Sequence, residues 1–162
     1  MTAEDLFNKF SVSTETQKQA IFASIFIIQN RLQTVCDDLT EEISMKQWLL
    51  LAMTSVFPKP PTLTAVGKML GCSRQNIKKL AVTLEKKGFL KITQSSTKTN
   101  AANIILDKKK VEDYDVKTQE SHNKVMDLLF QDFNEEEIAV YYECVRKLYN
   151  GVKRVERMEK DE

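Results

Sequence analysis

A mainly α chain carrying one small β-hairpin is the fold class the sequence predicts, and three observations predict it. Apolar residues recur at steps of three and four through most of the 162 residues. The exception is a pair of short alternating runs, Leu90-Lys91-Ile92-Thr93 and Asn103-Ile104-Ile105-Leu106, separated by a polar, turn-prone stretch over residues 95–100. Charge, finally, is segregated. Residues 59–110 hold twelve Lys or Arg against two acids, Glu85 and Asp107, a net +10; the whole chain is +1, so the flanks together carry −9.

Taken in order, residues 1–13 show no sustained period and are expected to form a loose lead-in, with Thr14 or Thr16 placed to cap the first long helix. Over residues 17–39, Ile21, Ile25, Ile28, Leu32, Val35 and Leu39 mark one face of that helix. Phe22 and Phe26 add a second apolar edge, so the helix needs two partners, within the subunit or across a dimer. Ser44 with Gln47 three residues on is a capping-box pattern. The helix it opens is expected to turn Met45, Trp48, Leu49, Ala52, Met53 and Val56 inward. Pro58, Pro60 and Pro61, the only three prolines, end it as a stiff connector.

Thr64 is then placed to cap a short helix ending at Leu70, with Val66, Met69 and Leu70 inward and Gly71 as its left-handed stop. Ser73 restarts helix at once, and Ile77, Leu80, Ala81 and Leu84 form its apolar stripe. Lys86, Lys87 and Gly88 close it. The two alternating runs make a hairpin that cannot stand without packing on the helices. Residues 108–130 read as a long helix with a polar middle. Asn134 with Glu137 caps a last helix, in which Ile138, Tyr141, Val145, Leu148, Val152 and Val155 recur at close to a heptad.

The chain thus divides into residues 1–42 as an N-terminal arm and dimerisation helix, 43–110 as a winged helix-turn-helix module, and 111–162 as C-terminal dimerisation helices. The arms carry more apolar face than one small module covers, which dimerisation would relieve.

Several functions are excluded by composition. Glu4 and Asp5 spoil a secretory leader, and the apolar run over residues 20–28 is too short to span a bilayer, so a cytoplasmic protein with no membrane partner is expected. Three cysteines without paired spacing and a single histidine, His122, leave neither a metal site nor a catalytic constellation. With four glycines there is no phosphate-binding loop, so neither an enzyme nor a cofactor is expected.

A short helix, a tight turn, a basic helix and a hairpin, in a segment of +10, point to double-stranded DNA as the partner. With Ile77, Leu80, Ala81 and Leu84 inward, a hundred-degree step puts Gln75, Lys79, Val82 and Lys86 outward, flanked by Asn76 and Lys78. Gln75 and Asn76 are assigned to base reading; Arg74, Lys78 and Lys79 read guanine or hold phosphate. Val82 is either a contact for a thymine methyl or a plain exposed valine. Ser73 is an N-cap and a candidate phosphate contact, and Lys98 at the hairpin tip is a further DNA contact. A basic face docking on an acidic protein is the alternative from another class.

The run Leu84-Glu85-Lys86-Lys87-Gly88-Phe89-Leu90, coming after the Gly71-Cys72-Ser73 turn, resembles the MarR family of bacterial transcriptional regulators, whose members show a similar L-G-x-S turn and L-E-x-x-G exit. The order of helices is also similar over nearly the whole chain. The resemblance implies a homodimeric repressor on a pseudo-palindromic operator in the bacterial cytoplasm, associated with the nucleoid. It further implies a small aromatic or anionic effector, for which Phe22, Phe26, Trp48 and Tyr114 are candidate pocket residues, plain core packing being the alternative. Some members sense oxidants through a thiol, which makes Cys36 and Cys72 candidates; Cys36 falls on the apolar stripe, where packing is the plainer role. Cys144 reads as interface or core.

Two departures from the family stand out. Gly67 replaces a small residue such as alanine, at a cost of about 1 kcal/mol in helix stability. Where the family's wing carries Asp-x-Arg, this chain has Lys98-Thr99-Asn100, leaving Lys98 as a point charge for phosphate or groove.

Overall fold

The computed structural model describes residues 3–40, 42–94 and 101–158. They form α1 (Ala3–Phe10), α2 (Thr14–Leu39), α3 (Met45–Ser55), α4 (Leu63–Leu70), α5 (Arg74–Lys86), β1 (Leu90–Gln94), β2 (Ala102–Leu106), α6 (Lys108–Phe130) and α7 (Glu135–Met158). The chain divides into two units, residues 1–117 and 118–162.

In the first unit the lead-in is more ordered than expected. Glu4 and Asp5 in the first turn and Lys9 in the last suit the dipole of α1, a helix of eight residues. The cap of α2 is neither Thr14 nor Thr16 but Ser13. Its Oγ accepts the Thr16 amide at 3.2 Å, while Thr16 Oγ1 accepts the Ser13 amide at 3.1 Å. Thr16 is thus the reciprocal partner in a capping box. Only Ala20 and Cys36 of α2 are buried.

Helix α3 opens on the predicted Ser44 and Gln47 box, but its inward face differs from expectation. Gln47, Leu50, Leu51 and Thr54 are buried, whereas Leu49 and Val56 are exposed. Residues 48–53 are apolar nearly all round the helix, so periodicity has no polar side to orient by. Packing on α4, α5 and β2 made the choice instead. The cap of α4 is Thr62, whose Oγ1 accepts the Ala65 amide at 3.1 Å, two residues before the expected Thr64. That shift brings Leu63 into the helix as a fully buried residue.

Strands β1 and β2 pair antiparallel in the register Leu90 to Leu106 through Gln94 to Ala102. The Pro61 carbonyl accepts the Ile104 amide at 2.9 Å and Thr62 bridges Asn103, so the proline connector runs along the free edge of β2. Leu50, Leu63, Ile77, Leu84, Phe89, Leu90 and Ile104 fill the core beneath this hairpin. Each such side chain contributes roughly 1.5–3 kcal/mol on leaving water. The start of α6 is held by Asp107, whose Oδ1 accepts the Lys110 amide at 2.9 Å, and Tyr114 closes the core edge-on to Phe89 with ring centroids 5.6 Å apart.

The second unit contains the rest of α6 and all of α7. Asn134 and Glu137 exchange side-chain to amide hydrogen bonds at 3.0 Å each, the predicted cap. Phe133 lies between Phe130 and Tyr141, at centroid distances of 5.7 and 6.0 Å. None of α7 is buried, so Cys144 is exposed and not in a core. Among the described residues no helix is long and apolar enough to cross a membrane.

Candidate nucleic-acid interface

The turn between α4 and α5 is set by backbone geometry. Gly71 sits at φ 64° and ψ 28°, a left-handed cap that a side chain would strain. The Cys72 amide donates to the Gly67 carbonyl at 2.8 Å, folding the turn back on α4. A Cβ on Gly67 would lie 2.7 Å from the Cys72 carbonyl oxygen. The close turn therefore favours glycine at this position, against the helix-propensity cost of about 1 kcal/mol.

Ser73 caps α5 as predicted, its Oγ accepting the Asn76 amide at 3.2 Å. Ile77, Ala81 and Leu84 are buried and Leu80 half-buried, which fixes the rotation of the helix. Arg74, Gln75, Asn76, Lys78 and Lys79 are consequently exposed together on its N-terminal half. Val82, expected to be exposed, is half-buried. Lys98, Thr99 and Asn100 lie outside the described residues.

Not every cation of the basic segment faces outward. Lys87 Nζ donates to the Glu42 carbonyl and lies 3.5 Å from Gln47 Oε1. Lys110 pairs with Glu42 Oε1 at 2.9 Å and stands 5.0 Å over the Phe89 ring, while Lys117 reaches Glu42 Oε2 at 3.5 Å. The Lys110 hydrogen bond, aided by the charges of Lys110 and Lys117 and opposed by burial, holds the Glu42 carboxyl below its ordinary range. Glu42 thus ties α6, and through its carbonyl the end of α5, to the turn before α3. Nothing local in the sequence marks it, because its partners lie 45, 68 and 75 positions away.

Both acids within the basic segment accept backbone amides. Asp107 caps α6, and Glu85 Oε1 accepts the Ile92 amide of β1 at 2.7 Å. The sequence marked Glu85 only as the acid of the L-E-x-x-G exit; its bond to the Ile92 amide emerges from the fold.

The four candidate pocket residues fall in two environments. Tyr114 is buried and Trp48 packs on the core, whereas Phe22 and Phe26 are 65% and 54% exposed and meet each other edge-on at 5.2 Å. Burial and the adjacent Asp37 push the Cys36 thiol up, away from the thiolate that oxidant sensing needs. Cys72 is exposed, its thiol 3.5 Å from the Leu70 carbonyl. Among the described residues no cluster could hold a metal ion.

No family model and no curated relative matches the sequence. Solved structures do match. A MarR protein from Peptoclostridium difficile is similar with a TM-score of 0.73 at 20% identity, over 83% of this chain and 88% of its own. MepR from S. aureus, solved as a DNA complex, gives 0.69 at 18% identity over 81% and 97%. The PcaV transcriptional regulator from Streptomyces coelicolor, solved with its natural ligand, gives 0.63 at 13% identity over 88% and 96%. At these identities the likeness is one of fold, and the fold this chain carries is that of the MarR-family transcriptional regulators.

Proposed function

We propose that the protein is a sequence-specific DNA-binding transcriptional regulator, a homodimeric repressor that sits on a pseudo-palindromic operator in the bacterial cytoplasm. The observation that carries this reading is the face of α5: Arg74, Gln75, Asn76, Lys78 and Lys79 exposed together on the half of a helix that enters a major groove, in a segment of +10. MepR, of the same fold, was solved with DNA. Two such helices, about 10 base pairs apart, would read two half-sites. The exposed apolar faces of α2 and α7 offer a surface for pairing, and regulators of this fold solved with a natural ligand and with 2,4-dichlorophenol support a small aromatic or anionic effector.

The test is selection of duplexes from a random pool with the full-length protein, then competition against random duplex at physiological salt. A regulator prefers the selected duplex, and its affinity falls steeply as salt rises. A protein that prefers no duplex is not one, and the acidic-protein partner takes its place. Gln75→Ala should relax specificity at one base step by about 1–3 kcal/mol while leaving binding to random DNA unchanged. Equal losses on both would place Gln75 on phosphate.

A further inference from the structure

A carboxylate in a phosphate-binding surface opposes its function, so Glu85 requires a reason. Between residues 59 and 110 only it and Asp107 are acidic, and Asp107 is accounted for as the cap of α6. The hairpin supplies the reason for Glu85. Ile104 donates its amide to Pro61, on the side away from β1, while Asp107 donates to the Phe89 carbonyl at 2.9 Å. In the observed register this makes Ile92 and Ile104 a pair that exchanges no ladder hydrogen bonds, so the Ile92 amide points out of the sheet. Glu85, in the last turn of α5, accepts it at 2.7 Å. The bond is charge-assisted and joins the element that carries Gln75 and Lys79 to the strand that carries the exposed Lys91.

We propose that Glu85 is a positioning residue for DNA recognition: by accepting the Ile92 amide it fixes the hairpin at one angle to the recognition helix, so that both meet one duplex in register. The inference rests on the DNA-binding reading. Electrostatics alone makes the opposite forecast, since removing a negative charge from this surface should tighten binding whatever replaces it. Glutamine keeps an acceptor oxygen and alanine does not, so the two variants separate charge from position.

The experiment compares wild type, Glu85→Gln and Glu85→Ala, as full chains, on a duplex selected by the wild type and on random duplex of equal length. Glu85→Gln should retain the wild-type preference. Glu85→Ala should lose roughly tenfold of it, the worth of one charge-assisted hydrogen bond, with a salt slope lower by about one as a hairpin phosphate contact is lost. Amide hydrogen exchange on the free protein should show Ile92 exchanging faster in Glu85→Ala, while the core amide of Ile77 is unchanged. If wild type is selective but the two variants bind alike, or if Ile92 exchange does not respond, the positioning role is wrong and the DNA-binding reading survives. A wild type that prefers no duplex overturns both.

Discussion

Helices α5 and α7 each carry an apolar stripe at helical spacing, yet the stripes end differently. Ile77, Ala81 and Leu84 of α5 are withdrawn from solvent, whereas Ile138, Tyr141, Val145, Leu148, Val152 and Val155 of α7 stay exposed. The first stripe is satisfied within one chain: α3, α4 and β1 pack on it. The second is as regular and as apolar, and a monomer leaves it wet. An exposed stripe of that length is the observation behind the proposed homodimer. Under that proposal the two stripes differ in kind: stability from the first belongs to the fold, and stability from the second would depend on protein concentration.

The sharpest way to break this comparison is Leu148→Glu. If α7 pairs copies of the chain, the variant should run as a monomer by light scattering and bind the selected duplex at least about 100-fold more weakly, because two linked half-site contacts become one. Its melting temperature at low concentration should hardly move. A dimer that persists would remove α7 from the interface. The mirror experiment on α5 is Leu84→Ala, which leaves a cavity in a closed core and should cost about 2–5 kcal/mol in denaturant unfolding, at any protein concentration. Smaller again is Gly67→Ala. The new Cβ would press on the Cys72 carbonyl, and a loss of about 1–3 kcal/mol is expected, against the gain that helix propensity alone would forecast. The sign of that change decides between propensity and packing.

The smallest effect concerns the tie at Glu42. Its carboxyl is held below the ordinary range in the folded state, so it adds stability that is present above that range and is lost as the pH falls through it. Glu42→Gln should therefore be less stable than wild type at neutral pH, by less than about 1 kcal/mol for so accessible a pair, and equal to it in acid. Denaturant curves at the two pH values check this. A difference that is the same at both would show that the Lys110 and Lys117 contacts contribute nothing through charge.

Much of the winged helix-turn-helix module was legible in the sequence because its signals are local. Ser73 and Gly71 act through backbone groups within four residues, and the stripe of α5 has a clear polar side, so its period orients it. Where the signals are ambiguous, expectation and structure part. In α3 the apolar run over residues 48–53 offers no polar face, and Leu50 and Leu51 rather than Leu49 and Val56 are buried. At the start of α4, Thr62 and Thr64 are equally good caps by type. The pairing of Thr62 with Asn103, far along the chain, favours the earlier one.

By itself the sequence determined the order of helices, the segregation of charge and the composition of the outward face of α5, because each of these depends on neighbours one or two turns away. Only the tertiary structure decided which cations were committed to Glu42, why Gly67 has no side chain and where Glu85 directs its carboxylate. Those contacts join residues between five and 75 positions apart, and their geometry exists only once the core has closed.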